Sequence, residues 1–73
     1  MGRRMTGPQF THWLAAMKAA GLARSDAHCG RLLGISPVSI VAIKRRGADH
    51  RTALACAALL AGIEPYSINP QPE

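Results

Sequence analysis

Three histidines, His12, His28 and His50, and two cysteines, Cys29 and Cys56, are the side chains best suited to ligate a metal or to act as nucleophiles. No pair of them has the i, i+4 spacing that sets two ligands on one helix face, and the cysteines form no C-x-x-C. The cysteines sit among apolar residues and read as buried free thiols in a reducing cytoplasm. The four acidic residues are scattered, and neither a carboxylate pair nor a Cys–His constellation emerges. The expectation is therefore no enzyme, no metal, no cofactor and no small-molecule substrate.

What remains is charge. Nine Lys/Arg against four Asp/Glu leave +5, with a pI near 10.3, the balance of a protein that meets a polyanion or an anionic membrane surface. Between residues 24 and 51 the six basic residues Arg24, Arg31, Lys44, Arg45, Arg46 and Arg51 face only Asp26 and Asp49, so this stretch holds +4 of the total. Such clustering is the footprint of phosphate contact, with a solvated charged face as the plainer alternative.

The elements that must position these charges follow from size and spacing. Seventy-three residues allow one domain with one core. Hydrophobic residues make up 48% of the chain, yet its aromatics are Phe10, Trp13 and Tyr66 alone. Ala, Leu, Ile and Met must build the core, which suits close-packed helices. The longest apolar stretch, residues 53–62, falls far short of the roughly 20 residues of a membrane span. Met1-Gly2-Arg3-Arg4 leads into Thr6-Gly7-Pro8 and not into an apolar signal segment, so the chain is expected in the cytoplasm, starting at Met1 or Met5.

Residues 1–5 read as a disordered basic arm, 6–62 as a helical domain and 63–73 as an extended tail that Pro65, Pro70 and Pro72 keep from regular helix. Thr6 caps a first helix, Pro8 sits where a missing N–H costs nothing, and Gln9 reaches back in a capping box. Phe10, Trp13, Leu14 and Met17 then recur at i, i+3, i+4, i+7, and Gly21 ends the helix. Ser25 or Asp26 caps a short second helix carrying Ala27, Cys29, Gly30, Leu32 and Leu33, which Gly34 stops. Ser36-Pro37 opens a third helix with Ile40 and Ile43 inward and Ile35 in the turn; Gly47 closes it. Asp49 caps a fourth, about 51–61, an Ala/Leu run with Leu54, Leu59 and Leu60 as packing surface.

Two short helices so joined form a helix-turn-helix, with Gly30 permitting close approach and Gly34 supplying the turn. The run Ser25-Asp26-Ala27-His28-Cys29-Gly30-Arg31-Leu32-Leu33-Gly34-Ile35-Ser36, then Val38-Ser39-Ile40 and Ile43, resembles the lambda-repressor and Cro-like (XRE-like) helix-turn-helix family. The resemblance covers about residues 6–62. It implies an all-α bundle of four to five helices that sets its third helix into the major groove of double-stranded DNA, usually as a homodimer on a pseudo-palindromic operator.

The family's base-contacting positions fall on Pro37, Val38 and Ala42, where Gln, Arg or Ser is more usual. At 100° per residue Val38, Val41, Ala42 and Arg45 share the outer side of the third helix, opposite Ile40 and Ile43. Valine and alanine suit thymine methyls, and Arg45 suits guanine or phosphate. Arg24, Arg31, Ser36, Ser39, Lys44, Arg46 and Arg51 are the phosphate candidates. Asp26 stands where the family often has Gln on a phosphate; capping accounts for it, with Arg24 or Arg31 taking the phosphate.

Leu59, Leu60, Ile63, Tyr66 and Ile68 exceed what one small core can cover and form the expected dimer interface. The resemblance implies a small phage-type or mobile-element repressor of its own operon. The alternative is an antitoxin-like or adaptor module that binds protein through the same fold.

Overall fold

The computed structural model describes residues 4–63, and among these it has four helices and no strand: α1 (Gly7–Ala19), α2 (Asp26–Leu33), α3 (Pro37–Arg46) and α4 (His50–Leu60). Each helix starts where a side chain satisfies amides that helix geometry leaves without partners. Thr6 Oγ1 accepts the Gln9 N–H at 3.1 Å while Gln9 Oε1 accepts the Thr6 N–H at 2.8 Å, a complete capping box. Ser25 Oγ accepts the His28 N–H at 3.1 Å, Ser36 Oγ the Ser39 N–H at 3.2 Å, and Asp49 Oδ1 the Thr52 N–H at 2.9 Å. The fourth helix begins one residue earlier than its sequence predicts, directly after its aspartate cap.

The core follows from the first helix outward. Phe10, Trp13, Leu14 and Met17 are all buried on one face of α1, with the Phe10 and Trp13 rings stacked 5.5 Å apart. Ala23 and Cys29 from the α1–α2 side, Ile40 of α3 and Cys56 of α4 close around them. Trp13 Nε1 donates to the Cys56 carbonyl at 2.8 Å, so the ring that fills the core also ties α1 to α4. Both cysteines are free and buried. The result is a small all-α bundle, and among the described residues no helix is long and apolar enough to cross a membrane.

The arrangement departs from the sequence expectation at Met5, Leu32 and Leu54. Met5, placed in the disordered arm by sequence, pairs with Ala48: its N–H donates to the Ala48 carbonyl at 3.0 Å and its own carbonyl accepts the Ala48 N–H at 2.8 Å. Ala48 is itself buried, so the α3–α4 connection is anchored to the chain entering α1. Leu32 and Leu54 belong to predicted packing faces, yet they are 39% and 57% exposed, because Cys29 and Cys56 hold the inward positions of their helices. Residues 1–3 and the expected tail beyond Ile63 lie outside the described residues.

Candidate functional site

The short α2 acts as the support on which α3 is mounted. Gly30, buried in α2, is where the two helices touch: a Cβ there would stand 2.6 Å from Ile40 Cδ1 and 3.3 Å from the Ile35 carbonyl oxygen. A side chain at this position would have to push Ile40 aside, so glycine permits the close approach. Residues 34–36 then make the connection to α3. Gly34 takes a left-handed conformation at φ +77°, its N–H bonding to the Arg31 carbonyl at 3.1 Å and the Ile35 N–H to the Gly30 carbonyl at 2.9 Å. This paired closure turns Ile35 back onto the core cluster that contains buried Ile40, against which Ile43 also packs.

With Ile40 and Ile43 facing in, the opposite side of α3 faces out. Val38 is 77% and Val41 56% exposed; Ala42 beside Val38 is half-buried, and Arg45 continues the same stripe. Val38, Val41, Ala42, Arg45 and Arg46 line a shallow concavity of about 320 Å³, and Pro37 stands exposed at its amino end. The Ser36 and Ser39 hydroxyls lie 3.2 Å apart and are engaged in the cap of α3. The surface therefore offers apolar contact along its length and a guanidinium at its carboxyl end, whose planar donors match anions and purine edges.

The basic residues divide into two groups. Arg24, Arg31, Arg45 and Arg46 are exposed, and none of them makes an ion pair among the described residues. Arg51 is 93% exposed and reaches Asp49 only at 4.0 Å, so it too faces water. Lys44, grouped by sequence with the phosphate candidates, is instead held by Asp26: its Nζ lies 2.8 Å from Oδ2, while Lys18 Nζ lies 2.9 Å from Oδ1. Asp26 consequently does not cap α2. Ser25, one residue earlier in extended backbone, does that. Freed from capping, the carboxylate ties the end of α1 and the end of α3 to the start of α2. Hydrogen bonds from Lys18 and then Lys44 hold the Asp26 carboxyl below its ordinary range, and the bond to Asp26 raises Lys18.

Two further side chains, Lys18 and His28, hold the elements around this face in place. Lys18 lies eight residues from Asp26, across a loop, a separation no helical spacing brings together. His28, weighed only as a metal ligand, accepts the Arg24 backbone N–H on Nδ1 at 3.0 Å and so fixes the loop that carries Arg24. Among the described residues no group of three or more His, Cys, Asp and Glu is placed to hold a metal. Burial pushes the Cys56 thiol up to about 12 and raises Cys29 as well, which keeps both protonated and weakly nucleophilic at neutral pH.

The expected dimer residues separate in the same way. Leu59 packs against its own core, Leu60 and Ile63 are 41% and 60% exposed, and Tyr66 and Ile68 lie outside the described residues. Leu54 and Leu60 of α4 instead border a groove of about 420 Å³ against α1, lined also by His12, Trp13, Ala16 and His50. Set beside known proteins, the chain matches no protein-family model, no curated protein and no solved structure.

Proposed function

We propose that this chain is a sequence-specific double-stranded DNA-binding regulator, with α2 and α3 as a helix-turn-helix and α3 as the helix that enters the major groove. The observation that carries the reading is the outer face of α3. It is an exposed stripe on a helix fixed to the core through the Gly30–Ile40 contact, ending in Arg45 and accompanied by arginines with no carboxylate partner among the described residues. As a small repressor of its own operon it acts as a homodimer on a pseudo-palindrome, the exposed Leu54, Leu60 and Ile63 supplying the apolar surface for self-association.

The second reading, an antitoxin-like or adaptor module, draws on the apolar character of Val38 and Val41, which also suits a protein partner. One experiment separates the two. Binding of the full chain to duplex DNA from upstream of its own gene is measured at two salt concentrations. Four phosphate contacts predict an affinity loss of about a hundredfold between about 50 and 200 mM salt. A flat response, or no preference over unrelated duplex, favours the adaptor.

A further inference from the structure

The outer face of α3 carries more than a general docking role. Pro37, Val38, Val41 and Ala42 have no side-chain donor or acceptor, and the neighbouring Ser36 and Ser39 hydroxyls are engaged in the cap. The first polar group along the stripe is Arg45, seven residues and about 10 Å beyond Val38, a span of about three base-pair steps. Laid against guanine, cytosine or adenine edges, this strip would strip water from donors and acceptors and return no hydrogen bond. One base edge in the major groove presents an apolar group, the C5-methyl of thymine. The exposed arginines around the strip supply the charge complementary to the phosphates that would hold it there.

Resting on the DNA-binding reading, we propose that Val38, Val41 and Ala42 recognise consecutive thymine methyl groups, so that the helix reads methyls where hydrogen bonds would ordinarily do the reading. Val38 and Val41 are the specificity-determining residues, and Arg45 fixes the end of the read segment.

The test uses the full chain and a duplex selected by it from a random-sequence pool. That duplex is then remade with deoxyuridine in place of thymidine, which removes the C5-methyls and leaves every hydrogen-bonding group in place. Affinity is expected to fall about fourfold for each contacted methyl. In Val38→Ala and Val41→Ala, whose exposed positions leave the helical circular-dichroism signal intact, the thymidine-to-deoxyuridine ratio should shrink toward one. Salt-dependent binding that is equal on both duplexes overturns the methyl inference and leaves the DNA-binding reading standing. A deoxyuridine penalty that the valine variants leave unchanged traces the effect to duplex shape and overturns it as well. Failure to bind any duplex overturns both.

Discussion

Phe10, Trp13, Leu14 and Met17 on α1 and Val38, Val41, Ala42 and Arg45 on α3 occupy the same i, i+3, i+4, i+7 positions. The first set is at most 4% exposed, whereas Val38 and Val41 are 77% and 56% exposed. Spacing alone defines a stripe; it does not say which side of the helix the protein covers. Side-chain size and competition decide that. The α1 stripe has the largest apolar side chains and no rival on its helix, and burying them releases the most surface from water. On α3 the valine stripe competes with Ile40 and Ile43, and the longer isoleucines reach the core across the gap that Gly30 leaves. The smaller stripe, ended by an arginine, is left in solvent, where it is available to a ligand.

Trp13 carries the largest expected effect. Trp13→Ala removes the ring stacked on Phe10 and the bond to the Cys56 carbonyl, and should cost about 3–5 kcal/mol, most of a small domain's stability. Its melt, followed by far-UV circular dichroism, should lose cooperativity near room temperature. Val38→Ala should move the same melt by less than about 0.5 kcal/mol. Equal destabilisation by the two would show that the α3 stripe is covered after all.

The support beneath α3 comes next. Gly30→Ala forces Ile40 Cδ1 aside and should destabilise by about 1–3 kcal/mol. Adding Ile40→Val removes the offending methyl and should recover part of that loss, a coupling that chemical denaturation of the four variants measures directly. Additive effects would place the cost elsewhere.

Surface charge should sharpen the contrast without touching stability. If the chain binds DNA as proposed, Arg46→Ala should weaken binding to every duplex alike and lower the slope of log affinity against log salt by about one, with the melt unchanged. A change confined to one sequence would move Arg46 from the phosphates to the bases.

Smallest of all is the Asp26 pair of ion bridges, because both lysines and the carboxylate are at least one-third exposed and water screens them. Asp26 has a folded value below its ordinary 3.8, so its contribution is present above that value and is lost as the pH falls through the folded one. Asp26→Asn should therefore lower the melting midpoint by a few degrees at most at pH 7. The gap between variant and parent should close well below pH 3.8. A gap that persists in acid would mean that Asp26 acts by packing and not by charge.

How much of this could be read in the sequence depends on the distance over which each contact acts. Thr6, Ser25, Ser36 and Asp49 cap amides three residues ahead, and Gly21 and Gly34 adopt positive φ at the ends of α1 and α2. Such bonds form within a turn of chain, so the four helices and their limits were legible to within a residue or so. The outer α3 stripe was legible too, because 100° per residue fixes which residues share a side once Ile40 and Ile43 are taken as inward. The partner of Lys44 was not. Its carboxylate lies 18 residues away, and the sequence offered Asp26 an equally good local role as a cap.

The helices with their caps and turns follow from the sequence because each depends on neighbours within a few residues, the excess of positive charge because it is a sum over side chains, and the burial of the α1 stripe because it holds the largest apolar side chains on its helix. Tertiary structure alone decided that Met5 pairs with Ala48 and that Trp13 reaches the Cys56 carbonyl, both 43 residues apart in sequence. It also decided that Gly7 is buried because it faces the Lys44 carbonyl, and that Leu54 faces outward. The physical reason is that each of these contacts depends on where one rigid helix comes to rest against another. That placement is set by the volumes meeting at the interface, such as the missing Cβ of Gly30 beneath Ile40, which no single segment of the chain contains.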